Sequence, residues 1–314
     1  MEPLDLRHRR FLQIAAREHV HAFNRLSAAR MLKVMDDTAG KAANIYVGNI
    51  CMTRVIHHID FTHAIRAGDA IDVETWIVRT GNTSLDVEVT VRGRDHLTHE
   101  IYDATSGLFT MVNVKRSFTG EYKAAPVPKL PATEDSLELE KRENAIERLN
   151  VRHSRESGNP LQKGGDPSLR WDDTKSGTPT QSAIRNPQSA IPYEPYFGQE
   201  HRNHVGSVHG GHILAELDQV AHHYAMWVTK HERFVTAAVD SIEFQQPILP
   251  SMLVTMIPQV LELGKTSICI GIQIYIQSHD KPEKTLSHHG KLWLVALDEN
   301  EVPMTVSISE PTQK

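Results

Sequence analysis

The 314-residue chain holds only two cysteines, Cys51 and Cys269, too few for a disulfide framework or a four-thiolate zinc site. Such sparse thiol usage fits a reducing compartment. No apolar run approaches the roughly 20 residues that a membrane-spanning helix needs. The start of the chain is basic around His8, Arg9 and Arg10, but Glu2, Asp5 and Glu18 interrupt it and no apolar signal-peptide core follows. A soluble cytoplasmic protein without membrane partners is expected. Positive charge is not in surplus either: 34 Lys and Arg stand against 39 Asp and Glu, a net charge of -5, which argues against a nucleic-acid partner gripped through phosphates. P-loop and dinucleotide fingerprints are missing, and Gly206-Ser207-Val208-His209-Gly210 places its serine one position too early for a nucleophile elbow.

What is present is a chain that should fold: 39% hydrophobic and 23% charged residues, at a length that suits two ordinary domains. Self-comparison shows what those domains are. Met-Thr at 52–53 recurs as Val-Thr at 235–236, Ile-Asp-Phe at 59–61 as Ile-Glu-Phe at 242–244, and Gly-Asn-Thr-Ser at 81–84 as Gly-Lys-Thr-Ser at 264–267, always 183 residues apart. Upstream the shift is 182 and pairs Leu32 with Leu214, Asp36 with Asp218, Ala39 with Ala221 and Ala43 with Ala225. One unit of about 100 residues, a common domain size, is written twice.

Each copy opens with apolar residues at helical spacing: Met31, Leu32, Met35, Ala39, Ala42 and Ala43 in the first, Ile213, Leu214, Leu217, Val220, Ala221, Tyr224 and Ala225 in the second. Period-two alternation follows, in Leu85, Val87, Val89 and Val91 and again in Ile268, Ile270, Ile272, Ile274 and Ile276, as half-buried antiparallel strands require. Gly81 and Gly264 fall between alternating runs, where a tight turn calls for positive φ. The copies are bounded at 18–130 and 196–306. Between them, 134–150 suits a short charged helix, and 151–192, rich in Ser, Pro, Gly, Asn and Gln, reads as a disordered linker without catalytic part. The linker region as a whole is 131–195.

The densest chemical signal is Asn203-His204-Val205-Gly206-Ser207-Val208-His209-Gly210-Gly211, running into the helix that carries Asp218. Glycines at a helix start let a ligand approach the backbone, and the free N–H groups there favour a developing negative charge. Asn203 can orient a carbonyl or a water, and a helix carboxylate can serve as base or nucleophile. Bland alternatives stand beside these: the glycines also permit close helix packing, Asp36 and Asp218 also suit a solvated helix edge, His209 suits a loop hydrogen bond better than proton transfer, and Thr53 and Thr236 suit a strand better than support of a site. The 19 histidines include the adjacent pairs His57-His58, His222-His223 and His288-His289, which cannot converge on one ion. His209 and His212 have metal-compatible spacing without the surrounding ligands, so no metal is expected.

Asn203, His-Gly-Gly six residues on, Asp218 at plus fifteen, then Val-Thr-Ala, Ile-Glu-Phe-x-x-Pro and Gly-x-Thr-Ser together resemble the hotdog-fold acyl-CoA thioesterases. Leu-Ser-Ala-Ala-Arg-Met-Leu-Lys-Val-Met-Asp at 26–36 is similar to the helix of their two-hotdog, cytosolic or brain-type members. The resemblance implies an α+β tandem hotdog, each a long helix wrapped by a curved antiparallel sheet, that hydrolyses acyl-CoA to a carboxylic acid and coenzyme A without a cofactor. It implies a catalytic set of Asn203, His209 and Gly210 with Asp36 from the other copy, a second pairing of Asp218 with the first-copy loop, and a homo-oligomer, a trimer of double hotdogs. In the first copy His21 stands for Asn203, Asn24 for Gly206, Ser27 for His209, and Ala28 and Ala29 for the glycines, so one working and one degenerate site are expected. A catalytically silent hotdog that binds acyl-CoA or acts in assembly or regulation is the alternative, and a dehydratase a further one.

Overall fold

The computed structural model describes residues 7–15, 24–116, 122–154 and 192–308. The chain divides into two compact units, Met1–Gly158 and Asn159–Lys314. Both are α+β, with a long helix against one face of an antiparallel sheet, and unit 1 adds a second helix. The linker reading of 151–192 falls, from 155 to 191, outside the described residues, as does His21.

Unit 1 runs β1 (His8–Ile14), α1 (Ala28–Val47), β2 (Cys51–Ile56), β3 (Ile59–Phe61), β4 (Ala70–Thr80), β5 (Ser84–Arg94), β6 (Ile101–Arg116), β7 (Tyr122–Ala124) and α2 (Ser136–Ser154). Helix α1 starts where Ser27, in extended conformation, accepts the Arg30 N–H on its hydroxyl at 3.2 Å. It stops at Gly48, whose φ of 69° turns its N–H back to the Asn44 carbonyl. The strands pair antiparallel in the order β1-β4-β5-β6-β2, with β3 and β7 also on β6. The helical stripe from Met31 to Ala43 and the alternating Leu85, Val87, Val89 and Val91 are all buried. They meet on one face: Gly107 lies opposite Val89 in register, and a Cβ placed there would come within 3.1 Å of Met35 Cε. Each fully buried Leu or Val side chain on that face contributes about 1.5–3 kcal/mol.

The other face of the same sheet is covered by α2, within two residues of the expected start and four residues longer at its end. Ala145 and Leu149 pack on Trp76, Val78 and Leu108. Lys141 Nζ donates to the buried Glu88 at 3.1 Å and to Thr90 at 3.3 Å, while Glu138 is clasped by Arg7 at 3.0 Å and by Arg142. Burying carboxylates is tolerable only because each meets a cation.

Unit 2 runs α3 (Gly210–Thr229), β8 (Phe234–Phe244), β9 (Leu253–Leu263), β10 (Ser267–Gln277) and β11 (Thr285–Ala296), with a one-turn 3-10 segment, Gln199–His201, ahead of α3. Its strands pair β8-β11-β10-β9, the order in which β2, β6, β5 and β4 pair in unit 1. The correspondence reaches the connections. After β6 the Val127 N–H bonds to Asn82 O, and after β11 the Val306 N–H bonds to Lys265 O, both at 2.9 Å. The five isoleucines of β10 are buried along with the α3 stripe.

One expectation changes. The hairpins at Gly81 and Gly264 do form, closed by Gly81 N to Ser84 O at 2.7 Å and Gly264 N to Ser267 O at 2.8 Å. Neither glycine has positive φ; the turn spans four residues and closes without a left-handed one. Positive φ is used instead at Gly48, Gly68 and Gly206 and at four non-glycine residues, among them Asn24. Among the described residues no helix is long and apolar enough to cross a membrane.

Candidate active site

In unit 2 the loop ahead of α3 is built around Asn203. Its main chain closes the loop, Asn203 N donating to Ser207 O at 2.8 Å and Gly206 N to Asn203 O at 3.1 Å. Its side chain fills the interior: Oδ1 accepts the N–H groups of Val205 at 3.0 Å and Ser207 at 3.2 Å, and Nδ2 donates to Ser207 Oγ at 2.9 Å. With Oδ1 already taking two donors, what remains for a ligand is the second Nδ2 hydrogen, so Asn203 serves as a donor and not as an acceptor. Gly206 carries φ +92°, and a Cβ there would lie 2.8 Å from Arg202 Nη2. The loop is tied down by Val208 N to Ile248 O at 2.7 Å and His209 N to His201 O at 2.8 Å.

His209 is the N-cap of α3, and its Nδ1 accepts the Gly211 N–H at 3.1 Å. A ring nitrogen that accepts carries no proton, so the neutral ring holds its hydrogen on Nε2. The loop-bonding reading of His209 is therefore realised. The Gly210 N–H meets no acceptor among the described residues. It is an unpaired donor at the positive end of a helix, the arrangement that stabilises an oxyanion.

Asp218 lies two turns into α3 and is 5% exposed. Thr236, on β8, donates its hydroxyl to Asp218 Oδ1 at 2.5 Å. Unit 1 repeats the pair: Asp36 on α1 is 4% exposed and accepts from Thr53, on β2, at 2.6 Å. Both carboxylates are thus buried, not solvated helix edges, and both threonines support them. The signal that finds that support is the matched spacing of Asp to Thr, 17 residues in one copy and 18 in the other.

The loop ahead of α1 keeps the backbone plan. Asn24 takes φ 56° where Gly206 takes +92°, Leu26 N bonds to Ile65 O at 2.7 Å where Val208 N bonds to Ile248 O, and Ser27 caps where His209 caps. Ala28 and Ala29 occupy the places of the glycines. Elsewhere in unit 1, His57 and His58, in the link between β2 and β3, take different partners, His57 Nε2 meeting Thr110 Oγ1 at 2.8 Å and His58 Nε2 meeting Asp60 Oδ1 at 2.7 Å. Both cysteines are buried. Desolvation pushes the Cys51 thiol up to about 12 and raises Cys269 as well, so neither is a thiolate nucleophile at neutral pH.

Two regions of the chain, 23–98 and 205–283, match the thioesterase superfamily, each spanning one helix and much of the sheet after it. The chain belongs to that superfamily. Acetyl-coenzyme A thioesterase of Rattus norvegicus is 23% identical over 302 residues, covering 94% of this chain and 52% of the rat protein. Cytosolic acyl coenzyme A thioester hydrolase, also of Rattus norvegicus, is 33% identical over 107 residues, 33% of this chain and 27% of that protein. The chain spans about half the length of the first curated relatives it matches. An acyl-ACP thioesterase from Bacteroides thetaiotaomicron superposes with a TM-score of 0.53 over 91% of this chain and 97% of its own, at 9% identity, and shares the fold.

Proposed function

We propose that the protein is a tandem hotdog acyl-CoA thioesterase, hydrolysing acyl-CoA to a carboxylic acid and coenzyme A. The observation that carries this reading is the pairing, in a thioesterase-superfamily chain, of an unpaired Gly210 N–H at a helix start with buried, threonine-supported aspartates repeated in both units. In this reading the hotdog domains are 18–130 and 196–306, joined by 131–195. One site combines Asn203, His209 and Gly210 with Asp36, and Asp218 serves the counterpart beside the first-copy loop.

The chemistry then follows from the groups. Gly210 N–H binds the thioester oxygen as it gains charge, and an interaction stronger in the transition state than in the ground state lowers the barrier. The Asn203 carboxamide donates to the carbonyl or to the attacking water. Asp36 is either the base that takes the proton from that water or the nucleophile that forms a mixed anhydride with the acyl group. His209 holds the helix start in place. No cofactor has a step in this scheme. The cytoplasm is the proposed compartment and a trimer of double hotdogs the proposed assembly.

Thiol release measured over acyl-CoAs from acetyl to palmitoyl tests the reading: turnover that peaks within the panel is the expected result. Flat traces accompanied by saturable acyl-CoA binding would instead favour a silent binding or regulatory hotdog, the reading to which Ser27-Ala28-Ala29 in the first loop lends support. Single-turnover hydrolysis in heavy-oxygen water separates the two roles of Asp36, since only the nucleophilic route leaves label in the carboxylate.

A further inference from the structure

The two helices differ one turn past their aspartates. Position 222 of α3 is a histidine, whereas the corresponding position of α1 is Gly40. Packing does not force that glycine: a Cβ at residue 40 would meet only Met111 Cε, at an ordinary 3.8 Å. Glycine inside a helix costs about 0.5–1 kcal/mol relative to alanine, whereas histidine adds a ring with two nitrogens that can donate or accept. Something other than fit separates the two positions.

His222 and Asp218, four apart, share a helix face. His222 Nδ1 lies 2.9 Å from the main-chain oxygen of Asp218 and 3.7 Å from its carboxylate Oδ1. A carbonyl oxygen only accepts, so Nδ1 carries the hydrogen and Nε2 presents its lone pair. The imidazole is mostly covered yet still reachable, with its side chain 24% exposed. Thr236 holds the other end of the arrangement by its bond to the same Oδ1. The Asp218 main-chain oxygen thus fixes the ring tautomer and leaves Nε2 as the acceptor nitrogen, while the carboxylate held by Thr236 lies close beside the ring. A carboxylate 3.7 Å away also attracts the charge that develops on the ring when Nε2 takes a proton.

We propose that His222 is a general base and that the half of the molecule around Asp218 retains a second, slower hydrolytic route which depends on it. The inference rests on the thioesterase reading above. In the step, Nε2 takes a proton from water while the water oxygen bonds to the thioester carbonyl carbon and the carbonyl electron pair moves to its oxygen. Collapse of that intermediate breaks the carbon–sulfur bond, the pair leaves with sulfur, and the imidazolium returns the proton to the thiolate.

The test uses the full chain, with Asp36→Asn as the background and His222→Ala added to it. With the acyl-CoA that the wild type turns over fastest, Asp36→Asn keeps a measurable residual rate. Adding His222→Ala lowers kcat by about 10²-fold, the usual worth of a positioned base, with KM unchanged, and free imidazole restores part of it. Equal melting temperatures of the single and double variants exclude a folding defect. An inert Asp36→Asn, equal rates in the two variants, or a loss that imidazole cannot rescue would each overturn the second route while leaving the thioesterase reading intact. A wild type inert on every acyl-CoA sinks that reading and the second route with it.

Discussion

The loops that lead into α1 and α3 solve one structural problem with two sets of side chains. Both need a left-handed residue, an edge hydrogen bond and a helix cap, and both have them: Asn24, Leu26 to Ile65 and Ser27 in one, Gly206, Val208 to Ile248 and His209 in the other. Only the second adds Asn203 inside its loop and the glycine pair that bares the helix start. The features the fold requires are thus duplicated, and those proposed to bind a developing oxyanion stand in one copy. Below the loops both helices bury an aspartate held by a threonine, and one turn further on α3 carries His222 where α1 carries Gly40.

The aspartates test that comparison most severely. Asp36→Asn is expected to lower kcat by about 10²-fold or more, and Asp218→Asn by less than about tenfold, read by thiol release; the opposite order would reassign the main site. Replacing the second loop's His209-Gly210-Gly211 by the first loop's residues, H209S/G210A/G211A, keeps a cap and removes the close approach. A loss of about 10²-fold with an almost unchanged melting temperature is expected, as for one oxyanion donor. Unchanged turnover would mean that the glycines serve packing alone.

Thr53→Val and Thr236→Val each leave a buried carboxylate short of one donor. Hydrogen bonds to charged groups contribute about 1.5–3 kcal/mol, so denaturant unfolding should show losses of that size in both variants. Unequal losses would mark the copy whose aspartate has more support from elsewhere.

Unit 1 also holds a stabilising cluster. Asp69 is buried and accepts from Tyr102 Oη at 2.6 Å, His96 Nδ1 at 3.0 Å and the Arg66 N–H at 3.1 Å. Burial opposes its ionisation, but those bonds prevail and hold the carboxyl below its usual range; burial and Asp69 together raise the Tyr102 phenol. A carboxyl depressed in the folded state stabilises it above the unfolded value of about 3.9, and that contribution disappears as pH falls through the folded value. Melting temperatures below pH about 4 should therefore fall more steeply for the wild type than for Asp69→Asn. Unit 2 has Met252, His279 and Thr285 at the matching places, so the cluster is not repeated there. The smallest effect is expected from Ser27→Ala, about 1 kcal/mol in unfolding free energy for a lost helix cap.

Much of the fold is legible in the sequence because it depends on periods. Residues every three or four along 31–43 and 213–225, and every second along 85–91 and 268–276, leave one way to bury apolar area, as a helix on an antiparallel sheet. The wrong sign of φ at Gly81 and Gly264 shows the limit, since a four-residue turn accepts glycine without needing it. The charged helix also reads correctly as a helix, but its composition conceals that Lys141 pairs with the buried Glu88 and the buried Glu138 with Arg7, a fact that depends on which sheet face lies beneath them.

For the site, the sequence by itself determines the duplicated unit, the chemical asymmetry of the two loops and the candidate residues Asn203, His209, Gly210, Asp36 and Asp218. Only the tertiary structure decides what state those residues are in. Thr53 and Thr236 reach their aspartates from strands 17 and 18 residues away, Asn203 spends its acceptor on its own loop, and the ring protons of His209 and His222 are set by which atom each ring meets. Residue type fixes what a group can donate or accept; its neighbours in space fix which of those capacities is left over for chemistry.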